Sequence, residues 1–344
     1  MLVGDGRWGG ATLHAQDSPS RSASSEPSVY DPLTLPTERL PKPIEATVRD
    51  SGRGREIPIL IYLPTSRDAA PVVLFSHGLG GNRNGSAYLG KHWASRGFVA
   101  VFLQHPGSDS EVLREAPMLR KASALREAAS AKNFLLRVRD VPAVLDQLQR
   151  WTEGQENAPS DGVGKQLLGR MDLKRVGMSG HSFGAVTTQA VSGQRFPLGQ
   201  SLTEPRIRAA ILFSPSEPAR GSADQAFGNV SIPWLLMTGT RDVARLGGST
   251  IGPSTVDKRL SVFPALLAGN KYEVVLDGAE HSAFTERALP GEAGDRNPNH
   301  HRVILALSTA FWDAYLKEND AARAWLDGDG PKGILEANDR WQTK

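Results

Sequence analysis

Short apolar runs of strand length recur along most of this 344-residue chain, with stretches of helix length between them. Runs 71–76, 98–103, 175–178, 207–213, 234–238 and 272–276 are apolar at nearly every position, as in strands buried on both faces. Residues 85–96, 111–137, 141–151, 185–191 and 301–317 read as helices. In the last of these, Val303, Ala306, Ala310, Phe311 and Ala314 recur at helical spacing and mark a core face. Strands joined through helices pair in parallel by right-handed crossovers. The expected fold class is therefore α/β, a mostly parallel, doubly wound sheet with helices on both faces. Runs 46–49 and 57–63 flank the turn 50–54 and predict an antiparallel N-terminal hairpin at a sheet edge. Pro58, which cannot donate to a ladder, fits an edge strand.

Composition excludes several classes. With 40 basic against 37 acidic residues the net charge is only +3, and no basic run is long enough to track a phosphate backbone, so no nucleic-acid partner is expected. The chain has no cysteine, which removes disulfides, thiol catalysis and Cys-ligated metals. No run of about 18 apolar residues exists, so no transmembrane segment is expected. Residues 1–40 are rich in Ser, Pro, Gly and Asp and read as a disordered or exported leader. Leu13-His14-Ala15-Gln16-Asp17 resembles the end of a signal peptide, which tilts the expectation to export, periplasmic or secreted, over the cytoplasm. Residues 41–344 are expected to form one domain, with 108–137 as a candidate helical lid. Met118, Leu119, Phe134 and Leu135 would give that lid an apolar inner face, or else belong to the core.

One motif sits where this fold concentrates chemistry. Gly180-His181-Ser182-Phe183-Gly184 follows the apolar run 175–178 and precedes the helical stretch 185–191. Strand, sharp turn, helix is the setting of a nucleophile elbow, with Gly180 and Gly184 making room for close backbone approach. Ser182 is then the candidate nucleophile, at a helix N-terminus whose partial positive charge favours developing anions. A serine needs a base within hydrogen-bond reach, and the base needs an orienting partner. His281 follows the run 272–276 in Gly278-Ala279-Glu280-His281-Ser282, and Asp242 follows the run 234–238 in Gly239-Thr240-Arg241-Asp242. The chain order Ser182, Asp242, His281 is the one this fold uses. Glu217, after the strand next to the elbow helix, and Asp277 are alternative acids, and a site with no acid is the remaining case.

The attacked carbonyl oxygen needs preformed N–H donors. Ser76-His77-Gly78-Leu79-Gly80-Gly81 follows the run at 71–76 and offers the backbone N–H of Leu79; the second donor is that of Phe183. His77 is expected to brace this loop rather than act as a second base. Gln104-His105-Pro106-Gly107-Ser108-Asp109 also reaches the carboxyl edge of the sheet, where it either lines the pocket or caps the following helix. His77, Gly78, His105 and His181 are thus candidate pocket residues. No cofactor is expected, and no His/Asp/Glu cluster has the spacing of a metal site on one element.

These motifs resemble the α/β-hydrolase superfamily over roughly residues 46–317. Within it, Ser76-His77-Gly78-Leu79-Gly80-Gly81 and Gly180-His181-Ser182-Phe183-Gly184-Ala185 resemble the platelet-activating-factor acetylhydrolases and, equally, the bacterial predicted dienelactone hydrolases. The second likeness extends to Gln104–Asp109 and Gly278–Ser282. The resemblance implies a serine nucleophile at Ser182, a base at His281 and oxyanion donors at Leu79 and Phe183. True dienelactone hydrolases carry cysteine where Ser182 stands. The acetylhydrolases place their acid after the strand following the elbow, where this chain has Ser214, so the acid moves to Asp242. Cutinase-like polyester hydrolases share the order of the three residues but carry Trp where Phe183 stands. The expected function is a cofactor-independent serine hydrolase of carboxylic esters, small or lipid-like. Acyl transfer to an alcohol or peroxide on the same residues is the alternative, and a non-catalytic binding protein of this fold the third case. Oligomeric state is not fixed by the sequence.

Overall fold

In the computed structural model the apolar runs assemble into a single sheet whose order is β1-β2-β4-β3-β5-β6-β7-β8-β9. The described residues are 1, 4–6, 30–36, 38–155, 162–244, 254–286, 288, 292 and 296–344. The strands are β1 (Ile44–Asp50), β2 (Arg55–Tyr62), β3 (Ala70–Ser76), β4 (Val99–Leu103), β5 (Met171–His181), β6 (Ile207–Phe213), β7 (Trp234–Arg241), β8 (Lys271–Glu280) and β9 (Arg340–Thr343). From β4 through β8 the pairings are parallel, and β1–β2, β2–β4 and β8–β9 are antiparallel. The helices are α1 (Ala87–Ser95), α2 (Ser110–Glu115), α3 (Lys121–Ala128), α4 (Ala131–Glu153), α5 (Val163–Leu167), α6 (Phe183–Val191), α7 (Ala223–Phe227), α8 (Val256–Leu260), α9 (Pro298–Leu316) and α10 (Asp320–Asp327). The mostly parallel sheet is what the alternation of apolar runs predicts, and its order with the antiparallel N-terminal hairpin is that of the α/β-hydrolase fold.

Strand side chains alternate between the two faces. Val72 and Leu74 of β3 join a core formed with Val141, Leu145 and Leu148 of α4 and Ala190 and Val191 of α6. Phe75 lies on the opposite face and stacks on Phe102 at 4.8 Å. There Trp93 of α1 meets Trp312 of α9 edge-on at 6.0 Å, with its indole N–H donating to Ser308. Gly177 of β5 lets Trp312 settle on the sheet; a Cβ there would lie 2.6 Å from the indole.

Several local expectations change. Pro58 lies in β2, the second strand, opposite Thr47. It is tolerated because the β2–β4 ladder begins at Ile59, and towards β4 Pro58 offers its carbonyl to the Gln104 N–H (2.8 Å). The helical stretches expected at 111–137 and 141–151 divide elsewhere. Helix α4 runs unbroken through Pro142, because Val138, Val141, Val144, Leu145 and Leu148 keep one buried stripe across it, and Ser130 caps its start. Strand β9 is too short and polar to announce itself. It closes the edge beside β8, where Trp341 stacks on Tyr272.

The chain divides into two units, Met1–Tyr30 and Asp31–Lys344. Most of the proposed leader, including the signal-like stretch at 13–17, lies outside the described residues. Asp31–Thr34, read in sequence as part of the leader, pack against the C-terminal end of α1, where Arg96, just past the helix, donates to the Thr34 carbonyl (2.7 Å). In the candidate lid, Met118 and Leu119 are 77% and 99% exposed, so they form neither an inner face nor core. Phe134 is packed against the core. No helix of the described residues is long and apolar enough to cross a membrane.

Candidate active site

Ser182 occupies the turn between β5 and α6 with φ 56° and ψ −114°. A serine adopts this left-handed conformation only under constraint. Here its N–H is held by the Phe213 carbonyl (2.9 Å), and the glycines on either side remove atoms that would collide. A Cβ on Gly184 would lie 2.6 Å from the Ser76 carbonyl carbon, and one on Gly180 would lie 2.9 Å from the Ser76 oxygen. The elbow therefore nests against the end of β3, and Gly78 fits beside the serine, with room for a Cβ only 3.2 Å from the His181 ring.

Three candidate residues converge from three strand ends. His281 Nε2 lies 2.9 Å from Ser182 Oγ, and His281 Nδ1 lies 2.6 Å from Asp242 Oδ1. With the Nδ1 proton donated to Asp242, Nε2 is left as the acceptor for the serine hydroxyl. Asp242 is fully buried and takes a further hydrogen bond from Thr238 Oγ1 (2.9 Å). Burial alone would push its carboxyl up. Arg259 and His281 beside it outweigh that effect and hold it well below the usual carboxylate range. The alternative acids lie elsewhere: Glu217 pairs with Lys258 at the surface (2.8 Å), and Asp277 accepts from Thr240.

Neither the Leu79 nor the Phe183 backbone N–H has a hydrogen-bond partner among the described residues. The Leu79 loop is fixed from several sides. His105 donates its backbone N–H to His77 Nε2 (3.1 Å), which leaves the His77 Nδ1 proton for the Gly78 carbonyl (2.6 Å). Gly80 N–H donates to Ser108, and Ser110 N–H to Gly81. Burial, with Arg137 nearby, depresses His77 far below its ordinary range, so it braces the loop as a neutral ring.

His105 is held away from solvent. It is fully buried, with Nδ1 donating to Asp140 Oδ2 (2.9 Å) and Nε2 accepting from Ser76 Oγ (3.0 Å). Asp140 is also gripped by Arg55 (2.7 and 2.8 Å) and Arg53 (3.0 Å), which leaves it little charge for His105. Arg137 donates to Ser76 Oγ and to the His77 carbonyl, and its guanidinium lies 4.6 Å from the Phe183 ring centre. His181 reaches across to the base loop, with Nε2 donating to the His281 carbonyl (2.9 Å).

Sequence reasoning missed Arg259, Arg137 and Asp140. The last two had a signal, since both interrupt the apolar stripe of α4 with charge. Arg259 had none, because it lies in the segment 247–268, which reads as irregular. Residues 245–253 of that segment lie outside the described residues. No group of three or more His, Asp or Glu side chains is placed to hold a metal ion among the described residues.

A parallel sheet with a strained serine on the turn between strand and helix is the arrangement of the α/β-hydrolase fold. Residues 62–215 match the family model described as platelet-activating factor acetylhydrolase, isoform II. The match covers the Ser76–Gly81 loop and the elbow and stops at Pro215; Asp242 and His281 lie beyond it. No curated protein matches the chain. The likeness to the acetylhydrolases supports a hydrolase acting on esters.

Proposed function

We propose that the protein hydrolyses carboxylic esters, small or lipid-like, through an acyl-enzyme on Ser182. The observation that carries this reading is the buried chain from Ser182 Oγ through His281 to Asp242, with links of 2.9 and 2.6 Å. In this reading His281 Nε2 takes the hydroxyl proton as Ser182 Oγ attacks the acyl carbon. Asp242 fixes the Nδ1-protonated tautomer and stabilises the imidazolium. The negative oxygen enters the space before the Leu79 and Phe183 N–H groups, which have no partner among the described residues to compete for it. His281 then protonates the departing alcohol, and water attacks the acyl-enzyme by the same route. Metals and cofactors have no part in the sequence of steps.

The test is hydrolysis of p-nitrophenyl esters from acetyl to palmitoyl by the wild type and Ser182→Ala. Turnover should fall by roughly 10⁴-fold or more in the variant, with the circular dichroism spectrum unchanged. The chain-length optimum then separates a short-acyl pocket from a lipid groove. Comparable turnover in the variant would sink the mechanism.

A further inference from the structure

Arg259 stands where a serine hydrolase of this design has no need of a cation. It is 1% exposed, on α8, with its guanidinium between two strand ends. Nε donates to the Asp242 carbonyl (2.8 Å) and lies 3.0 Å from Asp242 Oδ1. Nη1 donates to the carbonyls of Ser214 (2.9 Å) and Pro215 (3.0 Å), and Nη2 lies 3.1 Å from His281 Nδ1. Since Nδ1 gives its proton to Asp242, it has no lone pair for Nη2, and the approach is one of charge to ring. Ser214, at the end of β6, holds a left-handed φ of 59°. Arg259 thus ties that strand end to the acid loop at the end of β7.

Resting on the triad reading above, we infer that Arg259 is a positioning residue that clamps Asp242 against His281 and sets the pH range in which His281 works as a base. A guanidinium this close opposes the positive charge the imidazole must accept, and it also neutralises part of the carboxylate that would stabilise that charge. Removing it favours the protonated histidine on both counts. The other groups around His281 are few. The elbow contributes Ser182 and the His181 ring, 4.7 Å away and kept neutral by burial. The end of β7 contributes Asp242. Glu280 precedes His281 in the chain, while Glu292, Arg296 and His301 meet the turn that follows it, at Ser282, Ala283 and Thr285.

The experiment is the pH dependence of kcat/KM, and of the rate at which a fluorophosphonate labels Ser182, in wild type, Arg259→Met and Arg259→Lys. In Arg259→Met the acidic limb should move up by about one pH unit, and the plateau should fall about 10- to 100-fold through kcat with KM nearly unchanged. Arg259→Lys keeps the charge and loses the fork, so its plateau should fall while its limb stays within about 0.3 pH unit of wild type. A residue that only held the fold together would lower the plateau and leave the limb of Arg259→Met in place, and that result overturns the inference. If Arg259→Met leaves Asp242 without its partner and does not fold, the comparison passes to the Asp242→Asn background, in which the double variant lacks both charges. Only the direct repulsion between guanidinium and imidazolium is left to remove there, so the double variant should label with a limb about half a unit above that of Asp242→Asn, and superimposable limbs overturn the inference. Ser182-dependent turnover in the wild type, measured in the same series, keeps the hydrolase reading separate: it survives a failed Arg259 test, and its own absence would remove both.

Discussion

Acid should destabilise this protein through its buried neutral histidines, His105 among them, before the carboxylates of its sheet edge are protonated. In the unfolded chain His105 takes up a proton near its ordinary 6.5; folded, it does so only near 4, because burial and the neighbouring Arg137 disfavour the charged ring more than Asp140 favours it. Between those values the unfolded chain binds more protons, so the contribution is complete above about pH 6.5 and is lost as pH falls through 4. A gap from 6.5 to about 4, at about 1.4 kcal/mol per pH unit, is worth about 3.5 kcal/mol in full, of which about 2.5 kcal/mol is gone by pH 4.5. Urea unfolding followed by tryptophan fluorescence at pH 7.5, 6.0 and 4.5 reads it directly. With a slope of roughly 3 kcal/mol per molar, the wild-type midpoint should drop by about 0.8 M from this residue alone. His105→Gln keeps a neutral donor and acceptor and cannot titrate. It starts from lower stability but should lose less between pH 7.5 and 4.5 by that amount. Parallel losses in the two proteins would refute the account of a buried neutral histidine.

Other outcomes follow from the same geometry. Asp242→Asn should lower kcat by about 10⁴-fold with KM nearly unchanged, because an amide favours the wrong imidazole tautomer. Glu217→Gln, at the surface pair with Lys258, should leave the steady-state constants alone, and the reverse pattern would move the acid to Glu217. Gly184→Ala should abolish activity and yield little soluble protein, since the new methyl would press into the Ser76 carbonyl. Soluble, active Gly184→Ala would show that the elbow and β3 are less closely nested than the structure has them.

What the chain disclosed in advance follows the range of the forces involved. A parallel strand buried on both faces must be apolar at every position, so β3, β4, β6, β7 and β8 were legible within a few residues, and with them the sheet. Edges obey weaker rules. Arg340-Trp341-Gln342-Thr343 needs only one partner and one stacked ring, and its composition is that of a loop. Pro142 reads as a break, yet α4 passes through it because the buried stripe on either side outweighs one missing hydrogen bond.

The same distinction separates the parts of the site. The proposed triad of Ser182, Asp242 and His281 could be picked out in sequence because chemistry prescribes the residue types and the sheet prescribes where they stand, each just past a strand end. The supporting residues obey no such prescription. Arg259 reaches partners 17, 22 and 45 positions away, and Asp140 partners 35, 85 and 87 away, through contacts that exist only once the chain has closed. A buried charge is unfavourable alone and tolerable only when paired and hydrogen-bonded, so each such residue implies partners without naming them. Arg137 and Asp140 on the apolar stripe of α4 therefore signalled that something charged lay opposite, and the structure supplies it. The Leu79 loop and the Asp242 loop are each anchored by one of these ionic knots, Asp140 with its arginines behind the first and Arg259 behind the second. Because the knots sit behind the proposed reacting groups, substitutions there should act on kcat and on pH dependence before they act on substrate binding.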